Sequence, residues 1–225
     1  MSKKVNLAID GPSGAGKSSL AKVVARTLGF IYVDTGAMYR SIALYFINHK
    51  VDSSDQKTIV SSLKDINLTI SYIDGEQRVI LNDEDVTSFI RTPEVSMFAS
   101  KVSAIPEVRA YLLETQRKLA RENSVVMDGR DIATVILPNA DVKIFLTAND
   151  RKRAERRFEE LKTKNPLITF DEVYLDMINR DRNDSTRAVA PAIMAKDAIL
   201  LDNSDLSEEE TWLKAIEIIR NKVEL

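Results

Sequence analysis

Eight consecutive residues near the N-terminus, Gly11-Pro12-Ser13-Gly14-Ala15-Gly16-Lys17-Ser18, fit the spacing G-x-x-x-x-G-K-[ST]. Glycines at this spacing let successive peptide N–H groups curl around a phosphate, and a helix opening at the lysine adds the positive potential of its N-terminus. Lys17 then places a point charge between β- and γ-phosphates, and a hydroxyl beside it can join the shell of a nucleotide-bound Mg²⁺. The apolar run VNLAID before the loop and the helical pattern after it are the flanks the motif requires. The bland alternative is a glycine-rich turn with an exposed lysine; the flanks favour nucleoside triphosphate binding. The loop alone leaves a kinase, a GTPase and a motor-type ATPase open.

Arginines form the second group. Arg40 lies in DTGAMYR and Arg130 in MDGRD. Arg153, Arg156 and Arg157 share a helical face, and Arg180, Arg182 and Arg187 fall in INRDRNDSTR. A single helix arginine is usually solvated or salt-bridged. Arg40 and Arg130 stand apart because each follows an apolar run, which would bring it to the same edge as the loop. Two phosphate-bearing substrates meeting there would need planar guanidinium groups that pair bidentately with phosphate oxygens. Other chemistries are excluded by composition. No cysteine and a single histidine, His49, rule out thiol nucleophiles, Cys-ligated metals and HExxH zinc sites. With 32 Lys+Arg against 34 Asp+Glu, the net charge of −2 argues against general binding to nucleic acid.

The elements that must position these residues are legible as alternating patterns. Residues 5–10, 30–34, 124–128, 141–147 and 198–202 are almost continuously apolar, as expected of strands buried on both faces of a parallel sheet. Four of these runs end in aspartate (Asp10, Asp34, Asp128, Asp202), at the sheet edge where ligands bind in open α/β folds. After Gly16 the series Leu20, Val23, Val24, Thr27, Leu28 predicts an amphipathic helix that stops at Gly29. Residues 207–223 predict a terminal helix with three glutamates in its first turn and a core stripe of Trp212, Ile216, Ile219 and Val223. Between residues 66 and 90 two alternating runs flank Asp74-Gly75, a hairpin signal that reads as a small antiparallel insert. The chain is therefore expected to be α/β: a three-layer fold with a five-stranded parallel sheet and helices on both faces.

Taken in order, GPSGAGKSS, DTGAMYRSIA, FIRTPEVS, MDGRDIATVILPNADVKIFLTA and RDRNDSTRAVAPA resemble the bacterial cytidylate (CMP/dCMP) kinases, from about residue 5 to residue 202. The resemblance implies a nucleoside monophosphate kinase: one core domain over 1–225, a nucleoside-monophosphate-binding insert over 60–104 and a helical lid over 150–187. It implies γ-phosphoryl transfer from ATP to CMP or dCMP, with Mg²⁺ accompanying ATP. The ATP site would comprise Gly11, Pro12, Ser13, Gly14, Ala15, Gly16, Lys17, Ser18 and Ser19, with Arg153, Arg156 and Arg157 from the lid. Ser18 or Ser19 would supply the hydroxyl for Mg²⁺, since this chain has a Ser-Ser pair where many family members have Gly-Thr. Arg40 and Arg130 would hold the CMP phosphate, and Arg187 would reach the transferring phosphoryl group. Thr35, Ser100, Arg109 and Asp131 would line the cytosine pocket, and Arg180 and Asp184 would contact the pentose. Lys17, Arg130 and Arg187 would be the catalytic cations.

Other readings are weaker. A P-loop kinase for another small acceptor would share the loop but not the pair Asp131 and Arg109. A GTPase needs N-K-x-D after a strand, whereas Asn221-Lys222-Val223-Glu224 fails in residue and position. The net charge also opposes a nucleic-acid-dependent ATPase. The longest apolar stretch, residues 188–195, is broken by Pro191, and Asp10 follows the N-terminus too soon for a signal peptide. A cytoplasmic, monomeric enzyme with no membrane or nucleic-acid partner is expected.

Overall fold

The structure, a computed structural model, describes residues 4–163 and 165–224. Residues 1–3 and 225 at the ends of the expected core domain, and residue 164 in the expected lid, lie outside the described residues. Five strands, β1 (Asn6–Asp10), β2 (Ile31–Asp34), β6 (Val125–Asp128), β7 (Val142–Thr147) and β8 (Ile199–Asp202), form a parallel sheet in the order β2-β6-β1-β7-β8. These are the five apolar runs. Their burial alternates with the pleat, so β1 sends Leu7 and Ile9 to one face and Ala8 to the other. Each fully buried Leu or Ile of this kind contributes roughly 1.5–3 kcal/mol of transfer free energy.

On the Leu7/Ile9 face lie α1 (Lys17–Leu28) and α8 (Glu208–Arg220). The buried side of α1 is Leu20, Ala21, Val24 and Ala25, whereas Val23 is 45% exposed and Thr27 is also exposed. The expected stripe is thus rotated: small alanines face the sheet, and the β-branched pair faces water. Helix α8 opens with a capping box between Ser207 and Glu210, and its Ile216 and Ile219 are buried with Trp212 and Val223 packed beside them. The opposite face is covered by α5 (Pro106–Glu122) and a π-helical turn, Ile132–Ile136.

A third apolar cluster joins α2 (Thr35–Asn48), α3 (Gln56–Ser62), the N-terminal half of α5, α4 (Pro93–Val102) and a small antiparallel sheet. That sheet is β3 (Leu68–Ile73), β4 (Glu76–Leu81) and β5 (Glu84–Asp85), with Asp74 and Gly75 both at positive φ in the expected tight turn. It is tied to the outer edge of β2 by side chains. Tyr72 donates its hydroxyl to the Tyr32 carbonyl at 3.1 Å, and the Gln77 amide accepts from the Asp34 N–H at 2.8 Å and donates to the Asp34 carbonyl at 3.3 Å. Helices α6 (Asp150–Lys162) and α7 (Phe170–Thr186) pack together above the phosphate loop, Phe158 meeting Phe170 edge-on at 6.1 Å. No helix among the described residues is long and apolar enough to cross a membrane.

Candidate active site

The loop between β1 and α1 is shaped by what presses on it. Gly11 has φ 148°, and a Cβ there would lie 1.9 Å from the Leu146 carbonyl oxygen of β7. Gly14 has φ 70° and lies under α6, where a Cβ would come 2.7 Å from the Arg153 carbonyl oxygen. Only glycine satisfies both positions. Helix α1 begins at Lys17, as the motif requires. The Lys17 ammonium is buried and donates to the Pro12 carbonyl at 2.7 Å. Burial, then the nearby Arg130, hold its pKa well below the ordinary lysine value, so an incoming polyphosphate would relieve an electrostatic cost already present.

Asp128, ending β6, faces this loop. It accepts from Ser18 Oγ at 2.8 Å and from the Tyr32 hydroxyl at 2.9 Å. Burial, then neighbouring Asp34, push its carboxyl up to about 6. A carboxylate and a hydroxyl side by side form an oxygen-only donor set beside the phosphate loop, and it suits Mg²⁺, which usually takes few protein ligands and keeps waters and phosphates. Ser18 therefore fits the metal role, while Ser19 is exposed on the next position of the helix.

Across the cleft, arginines from five segments converge. Arg130 donates to the Gly11 carbonyl at 3.1 Å and to Asp184 of α7 at 3.1 Å, bridging the phosphate loop to the opposite wall. Arg40 pairs with Asp34 at 3.0 Å. Arg91, just before the N-cap of α4, pairs with the same carboxylate at 3.0 Å. Burial alone would raise Asp34, but Arg40 and Arg91 outweigh it and hold the carboxyl below its ordinary value. Asp131 joins Arg109 in a buried ion pair and meets Arg187 at 3.4 Å. Burial raises its pKa against the pull of both cations. Arg109 also donates to the Ser103 carbonyl at 3.1 Å and lies 5.6 Å from the Tyr39 ring centroid. Thr35 donates to the Asp128 carbonyl at 2.8 Å, and Ser100 lines the wall beside Ser103. Arg180 has a buried Nε without a partner, and burial followed by Arg130 lowers its pKa to about 10.

These groups share one cleft of about 640 Å³, lined by Gly14, Gly16, Lys17, Ser18 and Ser19 on one side and by Thr35, Arg40, Ser100, Arg109, Arg130, Asp131, Arg180, Asp184 and Arg187 on the other. Arg156 and Arg157 reach the same cleft from α6. Arg156 is held by the Asn203 side chain at 3.0 Å and by its carbonyl at 2.9 Å, while Arg157 pairs with Glu160 at 2.7 Å. Arg153 is turned elsewhere: its buried guanidinium contacts Ser13, Asp150, Asp181 and the Ala148 carbonyl. A second hollow, of about 710 Å³, lies between the start of α6 and the β8–α8 loop and holds none of these groups.

The four strand-ending aspartates divide. Asp34 and Asp128 face the cleft, Asp10 caps the N–H groups of Ile132 and Ala133 at 2.9 and 2.7 Å, and Asp202 is exposed and bonded to Ser204. Among the participants that the sequence reading did not mark are Arg91, Asn203 and Asp181. Arg91 had a local signal, since it precedes the Thr92-Pro93 helix start; the other two act on partners far away in the chain.

A strand–phosphate loop–helix unit facing an arginine-rich wall, with no histidine or thiol in the cleft, defines a P-loop phosphotransferase of small nucleotides. A family model described as "Cytidylate kinase" matches residues 7–221. A cytidylate kinase from Caldicellulosiruptor bescii is 48% identical over 225 residues, covering 98% of this chain and 100% of the relative. One from Carboxydothermus hydrogenoformans is 46% identical over 218 residues, covering 97% and 98%. The chain belongs to the cytidylate kinase family. Among solved structures, an uncharacterized protein from Eubacterium ventriosum shares the fold with a TM-score of 0.51 at 14% identity, over 97% of this chain and 99% of that one.

Proposed function

We propose that this chain transfers the γ-phosphoryl group of ATP to CMP or dCMP, yielding ADP and CDP or dCDP, with the residue roles that follow. The observation that carries this reading is the single cleft in which Lys17 and Ser18 face Arg40, Arg130, Arg187 and Asp131. The phosphate loop cradles the triphosphate with its N–H groups. Lys17 exchanges the Pro12 carbonyl for phosphate oxygens. Ser18 and Asp128 would hold Mg²⁺, which when bound would supply positive charge to the β- and γ-phosphates. Arg156 and Arg157 close on ATP from α6. Arg40, Arg91 and Arg130 take the acceptor phosphate, and Arg187 reaches the group in transfer.

The acceptor oxygen is already an anion at neutral pH, because a phosphomonoester has its second pKa near ~6. Transfer thus needs positioning and charge neutralisation and no general base. Asp131 accepts from the exocyclic amine of cytosine, and Arg109 donates to its ring acceptors. Uracil would set a carbonyl against Asp131, a buried mismatch that a polar pocket rejects strongly. Arg180 and Asp184 serve the pentose. Every group lies on one chain, in keeping with a monomer.

The test is ADP formation from Mg·ATP with CMP, dCMP, UMP, AMP and GMP supplied separately, beside a control with no acceptor. Rapid turnover with CMP and dCMP and slow turnover with UMP is the expected result. Preference for another monophosphate overturns the pocket assignment, and ADP release that ignores every acceptor overturns the kinase reading.

A further inference from the structure

Ser13 in the phosphate loop is gripped through both its backbone N–H and its carbonyl by the α6–α7 pair. Its N–H donates to Asp181 Oδ1 at 2.8 Å, and its carbonyl accepts from Arg153 Nη1 at 2.7 Å. Arg153 is ion-paired with Asp181 as well, and its remaining nitrogens are engaged by the Ala148 carbonyl at 3.0 Å and Asp150 at 2.6 Å. Each of the three guanidinium nitrogens thus has a protein partner. Asp181 also lies within electrostatic reach of Lys17.

The same helix carries acceptor-side contacts. One turn beyond Asp181, Asp184 pairs with Arg130 at 3.1 Å, and Arg187 at the end of α7 meets Asp131 at 3.4 Å. Residues 181, 184 and 187 follow at successive turns, so a helix that shifts against Ser13 moves all three contacts together. With Asp181 seated on Ser13, Asp184 competes with an incoming phosphate for Arg130.

We infer that Asp181, locked by Arg153, is a positioning residue that couples the phosphate loop to the acceptor pocket through α7. A triphosphate in the loop brings negative charge up to the Asp181 carboxylate and competes with it for Lys17. That weakens the hold on Ser13, frees α7 and releases Arg130 from Asp184. Nucleotide in the loop then raises affinity for the monophosphate, by a factor within the common range of about 5 to 150 for coupled sites. Arg153 holds the coupling carboxylate and makes no contact with ATP. This inference rests on the kinase reading above.

The experiment is calorimetric titration of CMP into the protein with and without β,γ-methylene ATP and Mg²⁺, for the wild type, Asp181→Ala and Asp181→Asn. Wild type is expected to bind CMP more tightly, by about 5-fold or more, when the analogue is present. In Asp181→Ala the ratio should fall to near one because CMP binding without the analogue strengthens. General damage to the fold would weaken that binding instead. Asp181→Asn keeps an oxygen for the Ser13 N–H, loses the charge and should show an intermediate ratio. Equal ratios in wild type and Asp181→Ala, or a wild-type ratio of one, overturn the coupling. Failure of the wild type to bind any CMP overturns the kinase reading itself.

Discussion

The two walls of the cleft are built on opposite principles. The phosphate loop is a contiguous stretch whose binding groups are backbone N–H donors plus one ammonium, and that ammonium has only a carbonyl to hold. The acceptor wall is assembled from side chains of distant segments, and most of its cations already have carboxylate partners: Arg40 and Arg91 with Asp34, Arg130 with Asp184, Arg109 and Arg187 with Asp131. A ligand in the loop meets one seated carboxylate, Asp181 on the Ser13 N–H, and no ion pair on its ammonium. A ligand at the wall has to displace or share existing ion pairs. Changes in the loop should therefore act on rate, and changes in the wall on selectivity.

The largest effect is expected from Lys17→Met. Losing a charge aimed at the transferring group should lower kcat by about 10²–10³-fold in a steady-state ADP assay. Because burial already depresses the Lys17 pKa, the thermal midpoint of the variant should equal or exceed that of the wild type. A variant that loses activity only by losing stability would break the contrast between the walls.

Asp131→Asn comes next. It should reduce kcat/KM for CMP by about 10- to 100-fold, and for UMP much less, because a charged hydrogen-bond partner contributes about 1.5–3 kcal/mol. Measuring both acceptors gives the decisive ratio. An unchanged CMP-to-UMP preference removes Asp131 from base reading.

Asn203→Ala sharpens the comparison from beneath the loop. Its amide donates to the Ala15 carbonyl at 3.1 Å while its oxygens hold Arg156. The Michaelis constant for ATP should rise by about 10-fold, in line with the loss of one neutral hydrogen bond and one from the Arg156 guanidinium. At saturating ATP the constant for CMP should not move; a parallel rise there would show that Asn203 supports the wall as well as the loop.

The smallest effect on turnover is expected at Asp10, which caps a turn outside the cleft. Burial raises its carboxyl to about 6 against the lowering influence of the Ala133 and Ile132 N–H groups. Between its ordinary value of 3.8 and about 6 the folded chain binds the proton more strongly than the unfolded chain does. The stability this confers is full below about pH 4 and is lost as pH rises through about 6. Urea denaturation at pH 4.5 and pH 7 should show that decline flattened in Asp10→Asn. An identical decline in both proteins assigns it to other carboxylates.

Legibility in the sequence follows the same divide. The loop could be read because its residues are adjacent and its flanks carry two distinct periodicities. The parallel strands could be read because burial on both faces makes their apolar runs continuous. The helical spacing of Arg153, Arg156 and Arg157 identified a shared face, but not that Arg153 would be buried against Ser13 and Asp181 while its neighbours reached the cleft. The bond between Ser13 and Asp181 spans 168 positions, and that between Asn203 and Ala15 spans 188. No local pattern encodes such partners. The rotation of α1 has a similar cause: hydrophobicity favoured Val23, but the space under the helix suited Ala21 and Ala25.

The side-chain bonds that Tyr72 and Gln77 make to β2 have one more consequence, for self-association. The outer rim of β2 would otherwise present unpaired peptide groups, a template for strand addition by another molecule. Tyr72 and Gln77 occupy those groups without continuing the ladder, so the antiparallel appendage ends the sheet and does not extend it. At the opposite rim β8 has only four residues, and Leu200 is exposed. Both border strands are only four residues long and a docked hairpin guards one of them, so trimming the hairpin to simplify the enzyme would open a route to aggregation at the border where Asp34 enters the cleft.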